Sequence, residues 1–198
     1  MASTEARRLQ NQVEFIVEID RLKSVLRRTP LVDGSRLENS AEHSWHIAVL
    51  ATVFAEHAPA GADLARAIHM ALIHDLVEID AGDTFCYDAA AKEGEAERER
   101  RAADRIFSLL PEDQREELRT LWEEFCAGES PDARFANAVD RLQPLLLNVH
   151  SGGGSWRTHA VTRDQVLARM QPVRAGLPAL WPYVEWAVAE GVSKGFLR

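Results

Sequence analysis

Four side chains in this sequence are polar where their neighbours are apolar. His43 lies close to Trp45, Val49 and Leu50; His74-Asp75 interrupts the run Met70-Ala71-Leu72-Ile73; Asp140 sits on the shoulder of a stripe formed by Phe135, Val139, Leu142 and Leu146. Burying such groups without partners is costly, and a divalent cation would compensate all of them together. Two imidazoles and two carboxylates, with no thiolate among them, suit a borderline divalent ion of flexible geometry. Four ligands on a five- or six-coordinate ion leave room for water and a substrate oxygen, which metal-assisted hydrolysis requires.

The elements that position these residues follow from apolar spacings of three and four. Leu9, Val13, Ile16, Val17, Ile19, Leu22 and Leu26 predict an amphipathic first helix, limited by Pro30. The stretch Arg27 to Arg36 reads as a turn-rich, basic loop. Asn39 or Ser40, with Glu42 three residues after Asn39, predicts the capped start of a second helix carrying His43 and running to about Pro59. Asp63 caps a third, which carries His74-Asp75 and ends before Gly82. The charged run Lys92 to Arg101 is a solvated face backed by Ala102, Ala103, Ile106 and Phe107. Further helices follow Pro111 and Ser130-Pro131; the latter carries Asp140 and is expected to kink or break at Pro144. Thr162 to Gln165 forms a capping box, and a last helix contains Leu180, Trp181, Val184 and Val188. No segment alternates convincingly with period two. The expected class is all-α, with about eight helices.

The 198 residues suffice for one well-filled core, so a single domain over 1–198 is expected, the helices from about residue 160 packing on the core or in a dimer interface. A hydrophobic fraction of 46% with 27% charged residues is ordinary for a globular protein. The apolar runs are too short to span a bilayer, and the N-terminus lacks a secretory pattern, so a cytoplasmic location is the expectation. Cys86 and Cys126 form no C-x-x-C pair and are expected to be free thiols. A net charge of −8 argues against broad binding to nucleic acid polymers but not against a small phosphorylated ligand. The loop Gly152 to Gly154 is weak evidence for a phosphate cradle. Trp156 and His159 are expected to serve packing.

The order His43, His74-Asp75, Asp140 resembles the HD-domain metal-dependent phosphohydrolases, an all-α family in which those four side chains bind one metal. Leu22-Lys23, Arg28, the run Glu38 to His43, and His74 to Glu78 with Gly82-Asp83 are similar to the branch comprising the bacterial 5'-deoxynucleotidases and human HD domain-containing protein 2. The resemblance is good over roughly the first half, includes Asp140, and is weak beyond residue 150. It implies an HD-domain helical bundle with one divalent ion, whether Mn, Co, Mg, Zn, Fe or Ni, on His43, His74, Asp75 and Asp140. It also implies Glu78 as catalytic acid/base, Asp83 placing sugar and water, and Arg28 on the phosphate. The substrate implied is a nucleoside 5'-monophosphate, and a homodimer is expected. Thr29 stands where the deoxynucleotidase branch carries a tryptophan that contributes to discrimination at the sugar.

The physical chemistry of these residues agrees. On one helix, His74 and Glu78 would face the same way, and Arg28 could grip phosphate oxygens with a forked contact. The competing readings are an HD hydrolase acting on another phosphorylated small molecule and a non-catalytic nucleotide-binding HD protein.

Overall fold

A computed structural model describes residues 4–198. The chain begins with α1 (Thr4–Ile19) and a 3-10 turn, Asp20–Ser24. Next comes a small antiparallel hairpin, β1 (Leu26–Pro30) with β2 (Leu37–Asn39), in the register Leu26 to Asn39 and Pro30 to Leu37 with an irregularity between. This hairpin occupies the stretch expected to be a loop. One leucine followed by two arginines, a threonine and a proline gives no period-two hydrophobic signal, yet the alternation operates: Arg27 and Thr29 turn inward while Arg28 is exposed.

Asn39 caps α2 (Ser40–Val53) through the expected capping box with Glu42. Asp63 caps α3 (Leu64–Ile73) by accepting from Ala65 and Arg66 N–H. The helix stops earlier than its apolar pattern predicts. A 3-10 turn, His74–Val77, and the single-turn α4 (Glu78–Ala81) carry the chain to Gly82, whose φ of 76° ends the segment and introduces Asp83. Next come α5 (Glu95–Phe107), α6 (Glu112–Ala127) and α7 (Pro131–His150). The last stretch divides into α8 (Gly154–Thr158), α9 (Arg163–Arg169), α10 (Gln171–Gly176) and α11 (Trp181–Ser193), so there are more helical segments than periodicity predicts.

α7 is the organising element, with α2, α3, α6, α10 and α11 packed around it. Phe135, Val139, Leu142 and Leu145 are fully enclosed, and each such side chain contributes about 1.5–3 kcal/mol through burial. Pro144 lies inside α7 without ending it; having no N–H, it leaves the carbonyl of Asp140 without its usual helical donor. α10 approaches α7 so closely that a Cβ at Gly176 would lie 2.2 Å from the Arg134 carbonyl oxygen. Val184 and Val188 of α11 are buried in the core, with Leu180 and Trp181 partly buried against it. The apolar stripe of α1 behaves differently from its pattern: only Phe15 is buried, while Leu9, Val13, Ile16 and Val17 face out. Among the described residues no helix is long and apolar enough to cross a membrane.

Candidate metal centre

His43 on the inner face of α2, His74 and Asp75 at the break after α3, and Asp140 midway along α7 converge in the interior. His43 Nε2 lies 2.9 Å from Asp140 Oδ1, and His74 Nε2 lies 3.0 Å from Asp75 Oδ1 and 3.7 Å from Asp140 Oδ1. One donor atom from each of His43, His74 and Asp75 falls within 4.8 Å of the others. The polar groups singled out in the sequence are therefore neighbours in space.

The hydrogen bonds around this cluster define what it can bind. Gln143 donates through Nε2 to Glu38 Oε1 at 2.5 Å, so its Oε1 faces His43 Nδ1 at 3.0 Å and accepts the proton there. His74 Nδ1 likewise faces the Ala71 carbonyl at 2.9 Å, a group that can only accept. When the rings are neutral, the Nε2 lone pair of each consequently points at carboxylate oxygens. Arg27 Nη1 donates to Asp75 Oδ2 at 2.9 Å and Arg141 pairs with Asp140 Oδ2, leaving Oδ1 of each carboxylate for the centre. Lone pairs facing carboxylates at these distances require positive charge between them. Burial and the nearby Arg27 hold His43 below its ordinary pKa, whereas Asp75 and Asp140 outweigh burial at His74 and push it up to about 10. A proton or a metal cation at His74 answers the same electrostatic demand, and the two-nitrogen, two-oxygen donor set fits a divalent ion.

Glu78 is buried beside this cluster. Ser40, the first residue of α2, donates through Oγ to Glu78 Oε2 at 2.5 Å, and Arg27 Nη1 lies 3.9 Å from Oε1. Burial first, and then the charge of Asp75, raises the Glu78 pKa well above the ordinary glutamate value. The route to this position differs from the expected single helix. Through a 3-10 turn, four residues advance about 480°, so Glu78 is offset about 120° from His74 instead of about 40° as in an α-helix. It still lines the same cavity as His74 and Asp75. Asp83 is also there, 3.4 Å from Arg27 Nη1, with its carboxyl pushed up by burial despite that guanidinium.

Arg28, expected at the phosphate, is exposed on β1 but borders a pocket that also contains Thr29, Asp83 and Asp140. The arginine that enters the cluster is its neighbour Arg27, which touches Asp75, Asp83, Glu78 and Glu38. Recognising β1 as a strand would have identified it, because alternation sends one of two adjacent arginines inward. Gln143, Glu38 and Ser40 were likewise missed, since a polar residue that positions another leaves no spacing pattern. His46 belongs to this supporting network, with Nδ1 3.2 Å from Gln143 Nε2. Trp156 lines the same pocket as Arg28 and Thr29, and His159 packs against Phe85 at its edge, with ring centroids 4.4 Å apart.

Glu99 of α5 lines the outer part of the cavity. Burial first, and then Glu95, pushes its carboxyl up to about 7 from an ordinary 4.5. The folded chain therefore retains a proton that the unfolded chain loses above pH 4.5. This group's contribution to stability is complete below that pH and declines as pH rises through 7. Glu99→Gln removes the decline. Paired urea unfolding should show the variant gaining on the wild type between pH 4.5 and pH 8, on the order of 1 kcal/mol after allowance for partial exposure. A pH-independent difference would reject this assignment.

Fold and site together define a helical protein with a buried two-histidine, two-carboxylate centre able to hold a divalent cation. The HD domain profile matches residues 19–181, and the chain belongs to the HD domain family. It is 50% identical to a predicted metal-dependent phosphohydrolase from Magnetospirillum magnetotacticum MS-1 of known crystal structure, with a TM-score of 0.95 over 100% of this chain and 99% of that one. Human 5'-deoxynucleotidase HDDC2 is 32% identical over 136 residues, 66% of this chain and 65% of that protein, so the match spans just under two thirds of the relative. A 5'-deoxynucleotidase from Erwinia tasmaniensis is 27% identical over 165 residues, 78% of this chain and 83% of that protein. An HD-domain phosphohydrolase from Listeria innocua, 15% identical with a TM-score of 0.58 over 92% of this chain and 86% of that one, shares the fold.

Proposed function

We propose that this chain is a metal-dependent phosphohydrolase that releases phosphate from nucleoside 5'-monophosphates, with His43, His74, Asp75 and Asp140 holding one divalent ion. The observation that carries this reading is the placement of Glu78, buried and with its pKa raised chiefly by that burial, beside the cluster of His43, His74, Asp75 and Asp140. The names of the relatives support the substrate class. A bound divalent ion supplies Lewis-acid neutralisation of phosphoryl charge and activation of water. The chain's own residues do the rest. Water adds to phosphorus as the bond from phosphorus to the 5'-oxygen breaks, Glu78 delivers its proton to that departing oxygen, and the proton shed by the attacking water passes to solvent, from which Glu78 is reprotonated. Ser40 and Arg27 keep the carboxyl in place, and Asp83 orients the sugar. Arg27 also neutralises Asp75, so the centre is not overwhelmed by negative charge when a phosphate dianion enters.

Thr29 is buried at the cavity wall. A threonine leaves room where the resembling branch has a tryptophan, so ribo- and deoxyribonucleotides should both enter. The test is phosphate release from a panel of ribo- and deoxyribonucleoside monophosphates with added Mn²⁺, Co²⁺, Mg²⁺, Zn²⁺, Fe²⁺ or Ni²⁺. Release from none of them rejects the proposal, and release only from a different phosphoester reassigns the substrate.

For assembly we favour a homodimer, joined through apolar side chains left outside the core: Leu9, Val13, Ile16 and Val17 on α1, and Trp45, Val49 and Val53 on α2. Each set follows helical spacing, and apolar stripes of this kind mark association surfaces. Val17→Glu with Trp45→Glu should shift the sedimentation mass from two chains to one; an unchanged mass would remove this face from consideration.

A further inference from the structure

Beyond Arg27 and Arg28, the cavity carries three cations to which the resemblance assigns no role. Arg141 follows Asp140 on α7, Arg169 ends α9, and Lys92 lies in the loop before α5. Both arginines line the pocket bordered by Arg28 and Thr29, the part containing His74 and Asp75, and an adjoining outer pocket, so they stand where these spaces meet. Lys92 borders both the part containing His74 and Asp75, beside Glu95 and Glu99, and the outer pocket, whose lining contains these three cations and no carboxylate. That is unusual in a chain with 31 acidic and 23 basic residues.

The three cations are under-used by the protein itself. Arg141 pairs with Asp140 through Nη1, but its Nε is buried with no hydrogen-bond partner. Among the described residues the side chains of Arg169 and Lys92 make no hydrogen bond or ion pair. Arg169 is partly buried, and desolvation together with Arg141 holds its pKa below the usual arginine value. Two guanidinium groups near one another repel, and a buried donor without a partner is costly. An oxyanion between them relieves both, since a phosphate offers several acceptors to forked guanidinium donors.

We propose that Arg141 and Arg169, with Lys92 at the rim, form an oxyanion subsite beside the His/Asp centre that receives the phosphate of the substrate. The subsite rests on the phosphohydrolase reading for its biological ligand, a phosphomonoester dianion. It makes Arg169 a specificity-determining residue: it selects for the anion and sets KM, while the proton on Glu78 serves the chemical step.

The probe is inorganic phosphate, titrated calorimetrically into the metal-loaded full chain and used as a competitive inhibitor of nucleotide hydrolysis. Losing one charge-assisted contact of this kind should weaken phosphate binding about ten- to a hundredfold. Arg169→Ala should therefore raise the phosphate dissociation constant, its inhibition constant and KM in parallel, with kcat falling much less and bound metal unchanged. Arg169→Gln, which keeps most of the side-chain length, should show the same loss. Wild-type values for phosphate affinity and KM in both variants would overturn the subsite. If the wild type hydrolyses no nucleotide, the activity reading fails, yet the calorimetric titration still decides the subsite. Phosphate bound by the wild type and lost in both variants upholds it; equal binding in all three proteins rejects it.

Discussion

Asp75→Ala is expected to abolish metal retention and phosphate release together, with activity falling at least about a thousandfold, as expected when a ligand is removed from a hydrolytic metal site. Asp75 has two roles, one for each carboxylate oxygen. Oδ1 faces His74 Nε2, and Oδ2 accepts from Arg27 Nη1. Alanine removes a donor from the centre and also leaves Arg27 without its nearest anion. Asp83, Glu38 and Glu78, between 3.4 and 3.9 Å away, compensate in part. Stability should therefore fall by about 1–3 kcal/mol, less than for a wholly unpaired buried charge. Asp75→Asn separates the effects, because its amide oxygen can still accept from Arg27 while the negative charge at the centre is gone. Metal analysis after dialysis, phosphate assay and thermal unfolding measure the three consequences. Full activity with normal metal content in either variant would reject the centre.

Glu78→Gln should retain metal, fold and substrate affinity but lower kcat by about 10²–10⁴, the range for loss of a positioned proton donor. Glutamine preserves an acceptor for Ser40 Oγ, so the local hydrogen bond survives while the transferable proton does not. The diagnostic comparison uses leaving groups. A nucleoside alkoxide needs a proton as it departs, whereas p-nitrophenolate barely does, so the defect should be large on nucleotides and small on p-nitrophenyl phosphate. Equal losses on both substrates would mean that Glu78 acts on water or on geometry instead.

The first of these variants tests something legible from residue types alone, the second something only partly so. His43, His74, Asp75 and Asp140 were readable because each breaks an apolar helical pattern, and a buried polar group in such a pattern needs a partner. The caps at Asn39, Asp63, Ser130 and Thr162 were readable because capping is a local hydrogen bond between residues at most three apart. Arg27 was not readable. Its inward turn depends on pairing between β1 and β2, and five residues carrying two arginines and a proline give no hydrophobic alternation by which to detect a strand. The 3-10 break at His74 was hidden for the converse reason, because the apolar spacing continues unaltered through it.

By itself, then, the chain determined an all-α fold class, though not its small hairpin, most of its helix starts and the identity of four metal-binding candidates, since these depend on local periodicity, capping and the cost of burying charge. Tertiary structure alone decided the rest. It placed Gln143 and the Ala71 carbonyl behind the two histidines so that both Nε2 atoms face inward, and divided Asp75 and Asp140 between an arginine and the centre. It brought Arg169 to Arg141 and enclosed Val184 and Val188 while leaving the α1 stripe outside. These are contacts between residues distant in sequence or settled by which surfaces meet, and helical periodicity shows that a face is apolar without showing what covers it.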